Sequence, residues 1–155
     1  MRVLLFLVAL LPVVAVAQNA GIALGTGSFD SNAPVDVTSD SLSLDQDSGQ
    51  AVFEGNVLVV QGDLRMSAAK ISVTYGDDGV TALTATGGVT LVTPTEAAEA
   101  QEATYTVADA SAVLSGDVLL TQGNAAISGD RLFIDLKSGT GRMEGNVRTV
   151  LGGTQ

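Results

Sequence analysis

The stretch Glu54-Gly55-Asn56-Val57 recurs as Thr86-Gly87-Gly88-Val89, Ser115-Gly116-Asp117-Val118 and Glu144-Gly145-Asn146-Val147. Its glycines, at 55, 87, 116 and 145, are separated by 32, 29 and 29 residues. A period of that size marks one supersecondary unit, repeated and stacked. Around each copy, Val, Leu, Ile and Thr alternate with polar residues, the two-residue period of a strand with one buried face. Phe53, Val57 and Val59 share a face, as do Ala85, Val89 and Leu91, then Leu114, Val118 and Leu120, then Met143, Val147 and Thr149. The opposite face carries Glu54 and Asn56, Ser115 and Asp117, and Glu144 and Asn146. Gly inside a strand weakens it and usually marks a bulge or bend. Glycines repeated in register therefore predict a line of bends, the geometry of a rolled sheet.

A second element falls between the blocks. It reads Ser39 to Leu44, Ala68 to Val73, Glu102 to Val107 and Gly129 to Ile134. Its fourth and sixth positions are always apolar: Leu42 and Leu44, Ile71 and Val73, Tyr105 and Val107, Leu132 and Ile134. That pattern predicts a shared buried face. Turn residues separate the elements on schedule, at Asp45 to Gly49, Gln61-Gly62-Asp63, Gly76 to Gly79, Thr93-Pro94-Thr95, Asp109 to Ser111, Gln122-Gly123-Asn124 and Lys137 to Gly141. Strands at such spacing, joined by hairpin-length loops, read as an all-β antiparallel sheet of about four repeats, rolled and open-ended. Glu96 to Ala103 has helix-forming composition, but the repeat frame expects a strand there from about Ala100.

The chain ends read differently. Arg2, the apolar run from Val3 and the small-x-small site Ala15-Val16-Ala17 predict a signal peptide over 1–17, cleaved between Ala17 and Gln18. Residues 18–34, rich in Gly, Ala, Ser and Asn, read as a flexible leader; 35–151 form the β domain and 152–155 a tail.

Composition narrows the function. The net charge of −10 argues against nucleic acid, whose phosphates need Lys and Arg. The 155 residues include no Cys, so no disulfide framework supports an exported fold. Without His or Cys, the usual zinc sites and the Ser-His and Cys-His nucleophile systems are excluded. Asp45-Gln46-Asp47-Ser48-Gly49 resembles the opening of a calcium loop, but the twelfth position is Asn56, so it reads as a solvated turn and no metal is expected. Glu54 and Glu144 are both acids on strands, as glycosidases need, but they occupy equivalent repeat positions, which architecture explains better than catalysis. No catalytic residue and no cofactor is expected.

The apolar face has two readings. One is an ordinary core filled by its own side chains; the other is a groove that accepts a lipid chain, with spare volume at Ala85 and the four glycines. On the second reading the lipid-facing residues are Leu42, Leu44, Phe53, Val57, Val59, Ile71, Val73, Ala85, Val89, Leu91, Tyr105, Val107, Leu114, Val118, Leu120, Leu132, Ile134, Met143 and Val147.

The repeated Gly-Asn/Asp-Val blocks, the intervening apolar pairs and the signal-like start resemble the OstA-like family over roughly Val35 to Leu151. That resemblance implies a jellyroll-like antiparallel roll and a periplasmic carrier that moves lipopolysaccharide from the inner to the outer membrane. It further implies inner-membrane and outer-membrane transport components as partners, and self-association through edge strands, with Asp36 to Leu44 and Gly141 to Leu151 as candidate edges. Two alternatives remain at this level: a membrane-anchored docking subunit of the same system, retaining residues 3–17, and a lipid-free structural β-repeat filament.

Overall fold

The computed structural model describes residues 22–23 and 33–152. The expected cleavage point at Ala17 and Gln18, and most of the leader, lie outside the described residues. Among the described residues, all regular structure is strand: β1 (Ile22–Ala23), β2 (Val35–Thr38), β3 (Ser41–Asp45), β4 (Gln50–Gln61), β5 (Leu64–Gly76), β6 (Gly79–Val92), β7 (Glu96–Thr106), β8 (Ser111–Gln122), β9 (Ala125–Asp135), β10 (Thr140–Glu144) and β11 (Arg148–Leu151). From β4 to β10, neighbours in sequence are neighbours in one antiparallel sheet. β2 and β3 both pair with β4, and β10 and β11 both pair with β9. Each of these couples is thus one strand position broken in the middle. The C-terminal strand expected as a single piece over Gly141 to Leu151 is in fact two, interrupted at Gly145-Asn146.

The recurring block explains both the breaks and the bends. Gly55 and Asn56 have φ of 82° and 47°, Gly87 and Gly88 82° and 85°, Gly116 and Asp117 82° and 47°, and Gly145 and Asn146 78° and 48°. Two successive left-handed residues insert one extra residue into the block strand, and the ladder shifts register there, as between Glu54 and Val57. Only Gly, and less readily Asn or Asp, adopts this conformation without strain. The first position has no room for a side chain either: a Cβ on Gly87 would lie 2.6 Å from the Cβ of Ala69, and one on Gly116 2.8 Å from that of Gln101.

The extra residue keeps the inward parity of β4, β6 and β8 unchanged on either side of the bulge. The partner strands have no extra residue, so their parity switches. In β5 the buried positions are Val73 and Ile71, then Ala68; in β7 Ala103, then Ala100 and Ala98; in β9 Ile134 and Leu132, then Gly129. The bulge line divides every long strand into two segments whose inward faces form one apolar cluster. Among the described residues each strand has close backbone contact only with its sheet neighbours, so the domain is a stack in one dimension.

β7 begins at Glu96, four residues before the expected start. Hydrogen-bonded neighbours on both sides, β6 and β8, override the helix-favouring composition, and Ala98, Ala100 and Ala103 are buried. The turn aspartates act as turn formers. The Asp45 carboxylate accepts the backbone N–H of Asp47 (2.9 Å) and Ser48 (3.2 Å), and Asp135 accepts those of Lys137 (2.8 Å) and Ser138 (3.1 Å). These donors, with Ser48 foremost for Asp45 and Ser138 for Asp135, hold both carboxyls below their ordinary pKa.

Candidate functional site: an apolar face open at both ends

Register-paired residues run across the inner face from one end of the stack to the other. In one segment of the roll the row is Leu42, Phe53, Ile71, Ala85, Ala103, Leu114, Leu132 and Met143. In the other it is Val37, Val59, Met66, Leu91, Ala98, Leu120, Ile127 and Thr149. At about 4.8 Å per strand, each row is roughly 34 Å long. Both rows are apolar through the middle, and both narrow to Ala at β7. Among the described residues, six of the sixteen buried apolar residues are Ala, and no aromatic ring is among them. Small side chains at the centre fill less of the space over the inner face than Leu or Phe would.

Of the expected inner-face residues, Val57, Val59, Ile71, Val73, Ala85, Val89, Leu114, Val118, Leu120, Leu132 and Ile134 are buried on this face. Phe53, Leu91 and Met143 are half-buried against it, and Tyr105 is half-buried in β7. Leu42 and Leu44 lie in the first strand position and are exposed, at 50% and 72%; Val147 follows the last bulge at 50%. They are exposed because, among the described residues, the sheet ends there and no further strand covers them. Val107 lies beyond the end of β7. Its placement in the repeat frame needs correction: Ala103, not Tyr105, pairs with both Ala85 and Leu114, so the third intervening element begins two residues earlier than the apolar spacing suggests. Simple alternation also missed Ala51 and Ala103, because Ala carries little hydrophobic signal, and Ala68, Ala98 and Ala100, because the parity switch moves them inward as well.

The outer side of the bulge line is polar and latched. Asn56 donates from Nδ2 to the Asp40 carboxylate (3.0 Å), and Asn146 donates likewise to Asp130 (2.8 Å). Gln101 donates from Nε2 to Asp117 (2.8 Å). At the remaining copy the pair is Gly88 and Ala69, neither of which has a side chain able to bond, and an open groove of about 640 Å³ lies there, lined by residues including Gly55, Ala69 and Gly88. Glu54 pairs with Lys70 (3.2 Å) and Glu144 with Arg142 (2.8 Å), both on the exposed side. Arg131 and Arg142 flank the Phe133 ring at 5.9 and 5.1 Å. Charge is unevenly spread: residues 33–63 hold Asp36, Asp40, Asp45, Asp47, Glu54 and Asp63 and no Lys or Arg, whereas Arg131, Lys137, Arg142 and Arg148 all fall in β9 to β11 and their turns. Among the described residues no helix is long and apolar enough to cross a membrane.

Comparisons with known proteins agree with this architecture. The family model described as "LptA/(LptD N-terminal domain) LPS transport protein" matches residues 36–140. The lipopolysaccharide export system protein LptA of Escherichia coli strain K12 is 30% identical over 112 residues, which cover 66% of this chain and 60% of that protein. LptA of Shigella flexneri matches with the same identity and extent. The matched region thus spans about three fifths of the length of these relatives. The crystal structure of LptH, "the LptA homologous periplasmic component of the conserved lipopolysaccharide transport device from Pseudomonas aeruginosa", superimposes with a TM-score of 0.71, at 19% identity, over 78% of this chain and 96% of that one. That likeness shows the fold. With the family model covering the bulged β domain from β2 to the start of β10, this chain belongs to the LptA/LptD N-terminal domain family of lipopolysaccharide transport proteins, as its OstA-like repeats led one to expect.

Proposed function

We propose that this chain is a non-enzymatic periplasmic carrier that holds the acyl chains of lipopolysaccharide against its inner face and passes the lipid toward the outer membrane. The observation that carries this reading is the pair of apolar rows that run the length of the stack, from the exposed Leu42 and half-buried Val37 at one end to the half-buried Met143 and exposed Thr149 at the other. A blind pocket would release its ligand only the way it entered; a face open at both ends lets a chain slide through. Each buried methylene gains about 0.8 kcal/mol, so a row of this length can hold several acyl chains without a deep cavity.

The ends favour stacking with further copies, and with inner-membrane and outer-membrane components of the same fold. Eight strand positions, from β2/β3 to β10/β11, make the terminal positions antiparallel to each other. A second copy related by translation would therefore continue the antiparallel sheet, with its β3 on β10 and its β2 on β11. Its acidic leading end would meet the arginines of β9 to β11. Such head-to-tail pairing generates an open filament.

A photo-reactive residue placed in turn at positions 114 to 120 of β8 tests the lipid site. Lipopolysaccharide crosslinks are expected from 114, 118 and 120, and not from 115, 117 or 119. Crosslinks with no face preference, or none from the inner face, would refute the carrier reading.

A further inference from the structure

The last strand position is not fully open. β1, from the leader, pairs antiparallel with β10, Ile22 opposite Gly141 and Ala23 opposite Thr140, and the Ile22 side chain packs against the core cluster. β11, the other half of the same position, has no strand on its outer side among the described residues and is exposed throughout. Within the sheet, Ala51 of β4 pairs with Val73 of β5 and Gln50 with Thr74. The repeat equates Ala51 with Gly141 and Val73 with Leu44. A translated second copy would therefore set its Leu44 opposite Gly141 and its Asp45 opposite Thr140. Those are the places Ile22 and Ala23 take here, in the same strand direction and with an aliphatic side chain on the same face.

We infer that β1 imitates β3 of a second copy, so that the chain's own leader competes with stacking at the β10 edge. The inference rests on the stacking reading and adds its regulation. An unpaired edge is an aggregation hazard, and a short cover that can be displaced suppresses indiscriminate pairing without blocking the intended partner. The cover is two residues long, whereas β3 has five residues and brings β2 with it onto β11. A second copy thus offers the longer ladder and displaces β1 once its concentration is high enough.

The test compares the chain with its Ile22→Ser and Ile22→Val variants by hydrogen exchange of the Thr140–Glu144 amides in dilute solution and by sedimentation velocity over a concentration series. In Ile22→Ser, exchange at Thr140 and Gly141 should quicken and self-association tighten about tenfold, as when a cap closed nine-tenths of the time is removed. Ile22→Val should behave as the parent. Adding Leu44→Asp to Ile22→Ser should abolish the association, since that edge meets β10. Faster exchange with unchanged association, or unchanged exchange, overturns the competition alone. Faster exchange with no association in any variant at any concentration overturns the stacking reading and the inference with it.

Discussion

Gly87 and Gly88 form a matched pair for testing the bulge. Both are left-handed, with φ of 82° and 85°, so an Ala at either carries the same backbone strain, about 1–2 kcal/mol. They differ in space. A Cβ on Gly88 meets nothing within 4 Å, whereas one on Gly87 would lie 2.6 Å from the Ala69 Cβ on the neighbouring strand. Ladder pairs on either side of the bulge, Lys70 with Thr86 and Ser67 with Thr90, hold both backbones, so neither methyl group can swing aside, and overpacking of this kind adds about 1–3 kcal/mol. Gly88→Ala should therefore cost about 1–2 kcal/mol and Gly87→Ala about 2–5 kcal/mol. Gly88→Asn supplies the internal control. The equivalent residues Asn56, Asp117 and Asn146 sit at φ of 47°, 47° and 48°, so Asn belongs at this place in the repeat and should cost less than Ala. Urea denaturation followed by far-ultraviolet circular dichroism reads the differences as midpoint shifts at constant slope; with a slope of about 1.5 kcal/mol/M, Gly87→Ala should lower the midpoint by more than about 1.3 M. Equal losses at 87 and 88 would refute the steric argument, and Gly88→Asn as damaging as Gly88→Ala would refute the left-handed assignment.

Three further outcomes follow from the same geometry. A photo-crosslinking scan along β9 should find lipid from 125, 127 and 129, then from 132 and 134, with 130 and 131 both silent; unbroken alternation would contradict the parity switch. Asp130→Ala removes the acceptor of the Asn146 side chain, and should cost about 0.5–1.5 kcal/mol in urea denaturation, a loss that Asp130→Asn partly restores. Asp45 and Asp135 have folded pKa values below the unfolded value of 3.8. Each therefore contributes stability that is fully present above the unfolded pKa and fades as pH falls through the lower folded value. Asp135→Asn should accordingly be less stable than the parent at pH 6 and approach it at pH 2–3 in denaturation series; a gap that widens on acidification would reverse the assigned sign.

The repeat was legible because it is a backbone requirement written in residue types. Gly followed by Gly, Asn or Asp, four times in register, specifies two left-handed residues and hence a bulge wherever it occurs. The alternation around it gave the inner face of β4, β6 and β8 correctly, since the extra residue preserves parity within those strands. The same reasoning missed Ala98, Ala100 and Ala103: β7 lies between two bulged neighbours, its parity switches at Gln101-Glu102, and its buried residues are alanines with little hydrophobic signal of their own.

By itself, then, the sequence determined the all-β class, the antiparallel order and the bend line, because each depends on local backbone preference and short-range period. Only the tertiary structure decided which residues of the partner strands face inward, since that depends on a bulge in the strand alongside. It also decided that β7 extends back to Glu96, through ladder bonds on both sides, and that the last strand position is split, with one half paired by Ile22 and Ala23. Contacts between residues 22 and 141 follow from no local pattern; they exist because the stack ends in an unsatisfied edge and an aliphatic segment of the same chain pairs with it.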